Sequence, residues 1–208
     1  MKNTKIAAAA GIALIAAGCA MTTMKTEGAS DAEVSKVLHE SFEARGQATL
    51  DRLDQDDVQR TCSEAQGKPL AKDAAQRLQQ AQLATIRYPA DGQLLGDWKR
   101  GEKIAQSGIG KQYSDDPKAV AGGNCYACHQ LTRQEIAYGT IGPSLLGFGR
   151  RRGFTPDMEK YVYGKVYNAD AFLACTNMPR FGHMGILTGQ QIKDVVALLM
   201  DPKSPVNQ

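Results

Sequence analysis

The chain has 208 residues, 42% of them apolar and only 6% aromatic, and carries a formal charge of +3. That length suits one domain with an appendage or two small domains, and the scarcity of aromatic residues argues against a large aromatic core unless a cofactor supplies buried apolar surface. No long basic run and no aromatic interleaving accompany the small positive charge, which argues against a nucleic-acid partner.

The N-terminus reads as an export signal. Lys2 and Lys5 precede an apolar run, Ile6 to Ala17, that is too short to span a bilayer. Two processing routes fit. Gly18-Cys19-Ala20 offers a small-x-small cleavage site before Met21, and Ala16-Ala17-Gly18-Cys19 resembles a lipoprotein box that would lipidate Cys19, without the usual leucine three residues before the cysteine. Either route places the mature chain outside the cytoplasm, in the periplasm, with a lipid anchor at Cys19 in the second case.

Residues 1–20 are thus assigned to a signal peptide, 21–94 to a helical N-terminal extension and 95–208 to a second, all-α domain. In the extension, Val34, Leu38 and Phe42 recur at helical spacing, with Val37 beside them and Asp31 as a candidate cap. Helical character is expected over 31–60, divided at Gly46 and continued by Leu50 and Leu53. The tripeptide GKP at 67–69 stops it, and residues 70–87 read as a further helix ending before Pro89. The Val34/Leu38/Phe42 face needs the domain or a partner to cover it.

Beyond the boundary, residues 96–108 form a short amphipathic helix with Trp98 and Ile104 as apolar anchors. A glycine-rich irregular stretch runs to about 154, and 155–175 holds two short helices. A loop, TNMPRFGHMG, precedes the strongest helix in the chain. There Thr188 and Gln191 form a capping box, Ile192, Val195, Val196, Leu199 and Met200 make one apolar face, and Pro202 ends the run.

The chemistry centres on Cys125-Tyr-Ala-Cys128-His129. Two thiols one helical turn apart can add across the vinyl groups of haem, and the adjoining imidazole can bind iron. From the chain's own composition such a motif is expected by chance about 0.002 times. A zinc site would need a second paired spacing, which the isolated Cys62 and Cys175 do not provide, and a thioredoxin-like dithiol would need a βαβ context. The pattern therefore points to haem c, one per chain, with His129 as an axial iron ligand.

His39, His183, Met178 and Met184 are the candidates for the other axial position. Met178 fits best, 49 residues beyond His129, before Pro179 and ahead of the final helix. Thioether ligation favours ferrous iron and raises the potential. Pro143, in GPSLLG, is the candidate carbonyl for orienting the histidine, or an ordinary turn proline. The Arg150-Arg151-Arg152 patch suits a haem propionate, a partner or a solvated loop. Trp98 reads as packing rather than an electron relay, and His39 as surface or core. Cys62 and Cys175 can close a disulfide in an oxidising compartment, tying the extension to the domain just before Met178, or can pair with another chain.

Together GNCYACHQ, GTIGPSLLGFG, YVYGKVYNADAFLACTNMPRFG and GILTGQQIKDVVALLMDPKSPVN closely resemble SoxX, the family of small cytochrome subunits of the SoxAX complex of bacterial thiosulfate oxidation, from about residue 95 onward. The resemblance implies a mitochondrial-type (class I) cytochrome c fold, with haem attached at Cys125 and Cys128 and axial ligands His129 and Met178. It further implies a periplasmic heterodimer with a larger SoxA-type cytochrome subunit. That complex joins thiosulfate oxidatively to a carrier-protein cysteine, an L-cysteine S-thiosulfotransferase reaction whose sulfur chemistry lies in the large subunit. The small subunit has no catalytic residue of its own. It accepts the electrons and passes them to a downstream cytochrome acceptor. A free-standing periplasmic electron shuttle would carry the same domain.

Overall fold

The computed structural model describes residues 28–208, so the signal segment, Cys19 and the residues up to 27 lie outside the described residues. Seven α-helices follow: α1 (Asp31–Ser41), α2 (Asp57–Glu64), α3 (Lys72–Leu83), α4 (Trp98–Gln106), α5 (Phe148–Arg152), α6 (Pro156–Tyr167) and α7 (Gly189–Met200). Short 3₁₀ turns stand at Leu50–Leu53, Cys125–Ala127, Ala169–Ala171 and Pro205–Asn207. Among the described residues there is no strand beyond one isolated bridge, Arg45 with Ala48. The fold is all-α.

The core is built where α4 crosses α7. Gly101 lets the backbones meet: a Cβ there would stand 2.1 Å from the carbonyl oxygen of Asp194. Asp194 is buried on the α4 side of α7 and collects donors. Arg100 contributes Nε to Oδ2 at 2.9 Å and Nη2 to Oδ1 at 2.8 Å, while the Asp97 N–H and Gln190 Nε2 donate to Oδ1 at 2.9 and 3.1 Å. Burial raises the Asp194 carboxyl, but the bonds from Arg100, the Asp97 N–H and Gln190 outweigh it and hold the group below the ordinary carboxylate value. Helix α7 has the expected Thr188–Gln191 capping box. It is buried nearly all round rather than on one face, Ala197 and Leu198 included, because α4, α5 and α6 all pack against it.

Three expectations need correction. Residues 42–49 and 54–56 are not helical: α1 ends at Ser41, only the 3₁₀ turn Leu50–Leu53 separates it from α2, and at the expected break Gly46 turns the chain at φ +53, where Tyr113 O would stand 2.6 Å from a Cβ. The cap of α1 is Ser30, in a capping box with Glu33, and Asp31 is the first helical residue. The stretch before 154 is not wholly irregular, since α5 forms between Gly147 (φ +64) and Gly153 (φ +89).

The extension lies against the domain through α3 and the chain after it. Asn168 Nδ2, fully buried, donates to Gln82 Oε1 at 3.0 Å and Thr85 Oγ1 at 2.9 Å. Tyr163 Oη donates to Arg87 O at 3.2 Å, and its ring packs on that of Tyr88. Helix α1 buries no residue, and Val34, Val37 and Phe42 are exposed.

Replacing Asp194 with Asn should cost about 1–3 kcal/mol by removing a charge-assisted acceptor from the crossing. Because the native carboxyl is depressed, its contribution is complete above the unfolded-state pKa and is lost as pH falls through the lower folded value. Thermal unfolding followed from neutral to acid pH should therefore fall more steeply for the wild type than for D194N.

Candidate haem site

The CYACH segment is set by the end of α4. Gly123 N–H donates to Ile104 O at 2.8 Å and Asn124 N–H to Ser107 O at 2.9 Å. Asn124 then takes a left-handed conformation (φ 44) that turns the chain into the Cys125–Ala127 3₁₀ turn. Cys128 N–H and His129 N–H both donate to Cys125 O, at 3.1 and 2.9 Å. One tight turn thus separates the two thiols, and both are unbonded. Cys125 packs against the core, and burial pushes its thiol up to about 12.

A strap, residues 139–145, runs alongside this turn. Gly139 N–H donates to Tyr126 O, Gly142 N–H to Cys128 O and Leu145 N–H to Gln130 O, at 2.8, 2.9 and 2.8 Å. Between the last two, His129 Nδ1 lies 2.7 Å from Pro143 O. A carbonyl can only accept, so Nδ1 carries the proton and Nε2 of the neutral ring keeps its lone pair for a metal. Two glycines permit the approach. A Cβ at Gly139 would stand 1.8 Å from Ala127 O, and one at Gly142 would stand 2.2 Å from His129 Cε1. Sequence reasoning singled out Pro143 in its Gly-Pro turn and missed the close approaches at Gly139 and Gly142, which both precede it in GTIGP.

Met178 follows Thr176, whose Oγ1 accepts its N–H at 3.3 Å, and the side chain is half-buried against the core cluster that also contacts Cys125. The far end of the same loop closes on the CYACH turn. A Cβ at Gly123 would stand 3.2 Å from Cys125 Sγ, 3.6 Å from Leu187 and 3.8 Å from Phe181. Among the other ligand candidates, His39 has Nδ1 2.9 Å from Ser35 O and Nε2 3.3 Å from Asp54 Oδ1, both within the extension. Met184 is exposed. His183 is exposed and lines a cavity with Tyr167, Arg87 and Thr85, and the partial burial of its ring with Arg180 nearby lowers its pKa.

Cys62 and Cys175 are bonded to one another across 113 residues of sequence, so neither is a thiol free to complete a zinc site. The arginine run is divided by partner: Arg150 Nη2 donates to Gln208 O at 3.4 Å and Arg151 Nη2 to Ser144 O at 3.3 Å, next to Pro143. Arg152 lies over the Phe148 ring at 6.0 Å. Trp98 is half-buried at the start of α4, with Lys99 Nζ 5.7 Å from its ring.

The donor set fits a covalently attached haem: two adjacent unpaired thiols, an imidazole with Nε2 available, and a thioether on the loop that closes over the turn. The comparisons agree at the level of the domain. A cytochrome c family model matches residues 114–202. A protein named "Uncharacterized lipoprotein" from Aquifex aeolicus (strain VF5) is 43% identical over 162 residues, covering 74% of this chain and 73% of that protein. The chain belongs to the family of that protein and carries a cytochrome c domain. A solved structure, "Crystal structure of SoxXA from P. pantotrophus", matches with 31% identity over 53% of this chain and 84% of that one, at a TM-score of 0.37. The cytochrome c assignment implies a covalently bound haem c, and the class I fold agrees with the all-α architecture. Among the described residues no helix is long and apolar enough to cross a membrane.

Replacing Gly142 with Ala should cut the yield of haem-bearing protein severalfold, because a methyl group 2.2 Å from the imidazole must displace either the strap or the ring. The haem-to-protein ratio of the purified, exported chain checks this. Gly28→Ala, where a Cβ meets nothing within 4 Å, should leave the ratio near that of the wild type.

Proposed function

We propose that the protein is an exported, single-haem electron-transfer cytochrome, and that it serves as the SoxX-type small subunit of a SoxAX-type complex. The observation that carries the electron-transfer reading is the His129–Pro143 hydrogen bond, which leaves Nε2 as the only ring nitrogen able to bind iron. The motif resemblance from CYACH to SPVN supports the subunit reading, and the name of the Aquifex relative supports a lipid at Cys19.

Haem, when bound, supplies a one-electron couple. The chain's residues hold and tune it. Cys125 and Cys128 would each hold the haem through one thioether, an S–H bond and a vinyl π bond being exchanged for S–C and C–H bonds. His129 Nε2 would hold the iron, while Pro143 O, accepting from Nδ1, makes the imidazole more basic and fixes its plane. Met178 would offer the iron a soft sulfur, which would bias the couple toward the reduced form. With His129 and Met178 both holding the iron, no position would be left for an added ligand, and the chemistry the group would supply is one-electron transfer. The larger subunit performs the sulfur chemistry and delivers the electrons; a downstream cytochrome removes them. The extension (21–94) and the haem domain (95–208) act together in this reading.

Met178→Ala should open the iron. The ferrous variant should bind carbon monoxide rapidly and close to stoichiometrically where the unaltered protein binds little, and its reduction potential should fall. Rapid binding by the unaltered protein would contradict six-coordination. For the subunit reading, the tagged chain purified gently from its own cell envelope should co-elute with a second, larger haem polypeptide. Elution as a stable single-haem monomer, with partners demonstrably expressed, would favour a free-standing shuttle.

A further inference from the structure

Helix α2 of the extension is held to the domain in an unusual way. It buries a single residue, Val58, so apolar contact contributes little to keeping it in place. Its firm attachments are two, and they fall on either side of Met178. Upstream, Cys62 is bonded to Cys175, three residues before the methionine. Downstream, Arg180, two residues after it, is only 7% exposed, and its Nη2 donates to Asp56 Oδ2 at 2.6 Å. Asp56 is the N-cap of α2, its other oxygen accepting the Gln59 N–H at 2.9 Å, so Arg180 grips the rigid start of the helix.

Inside the domain the ties form a closed circuit. Arg180 Nε lies 3.7 Å from Asp170 Oδ2. Asp170, itself buried, accepts the Thr176 N–H on Oδ1 at 3.3 Å, and Thr176 Oγ1 accepts the Met178 N–H at 3.3 Å. A buried guanidinium needs its charge compensated, and half of that compensation comes from outside the haem domain. Cys175 also sits at φ +58, a conformation unfavourable for a non-glycine residue unless its surroundings impose it.

We propose that α2 is a clamp on the distal ligand loop, with Asp56, Arg180 and the Cys62–Cys175 bond as positioning residues that keep the Met178 sulfur on the iron. The proposal rests on the reading of Met178 as axial ligand. A thioether is a weak ligand for ferric iron, and a loop free to move would gain conformational entropy by letting it go. Two anchors within five residues of sequence remove that freedom before the bond forms. The extension thereby maintains six-coordination through both halves of the redox cycle, a task distinct from any docking role.

The test uses the full-length haem-loaded protein. Asp56→Asn keeps a capping side chain but removes the charge facing Arg180. Cys62→Ser with Cys175→Ser removes the other anchor, and Gln59→Ala weakens the cap while leaving both anchors intact. The readouts are the methionine-to-ferric-iron charge-transfer absorption, the carbon monoxide binding rate of the ferrous form and the reduction potential. With native helicity and full haem content, D56N and the double serine variant should each weaken the charge-transfer band, lower the potential and bind carbon monoxide about tenfold faster, on the scale of one charge-assisted hydrogen bond. Q59A should match the wild type. A wild type showing the band, with both anchor variants unchanged in all three readouts, would overturn the clamp alone. A wild type lacking the band and binding carbon monoxide rapidly would overturn the ligand reading and the clamp with it.

Discussion

The hydrogen bond between His129 Nδ1 and Pro143 O organises the chemistry of this chain. It settles the imidazole tautomer, and through it which nitrogen is available to iron. It also explains local sequence that would otherwise look arbitrary. The carbonyl can reach the ring only if the strap crosses close to it, which requires glycine at 142 and at 139. The strap is in turn fixed by its backbone bonds to the CYACH turn and by Arg151 at Ser144.

The rest of the fold holds two segments in fixed relation, the CYACH turn and the Met178 loop. The α4–α7 crossing around Asp194 does this for both. The end of α4 holds the turn through Ile104 O and Ser107 O, which accept the Gly123 and Asn124 N–H groups, and the capping end of α7 follows the methionine loop. Gln191 Nε2, in the first turn of α7, donates to Ala121 O at 2.6 Å and ties the two together. Buried apolar side chains supply most of the driving force here, while the polar contacts of Asp194 select which faces of the two helices meet.

Much of this was legible in the sequence because it is encoded locally. CYACH is a five-residue pattern, Thr188 and Gln191 announce the start of α7, and the expected turn at 67–69 is where Gln66 and Gly67 take positive φ. What escaped was encoded at a distance. Arg180 and Asp56 are 124 residues apart, and nothing around either marks it as a partner of the other. The glycines of the strap were visible as letters but not as close approaches, since only the folded ring shows what a Cβ would strike. Helix α5 was missed because five residues rich in arginine, set between two glycines, carry no periodicity. The helical character expected over 31–60 is divided at Gly46, which must pass against Tyr113 O, and beyond it Leu50 and Leu53 form only a 3₁₀ turn before α2.

The central claim is that the cysteines are divided by role, one adjacent pair carrying haem and one distant pair closing the extension onto the ligand loop. Unreduced peptide mapping of the exported protein by mass spectrometry tests it directly. The account predicts a single haem adduct on the tryptic peptide spanning residues 119–133, bearing Cys125 and Cys128, together with a cross-linked peptide pair joining Cys62 to Cys175. Unmodified thiols at 125 and 128, or Cys62 and Cys175 recovered apart, would contradict it.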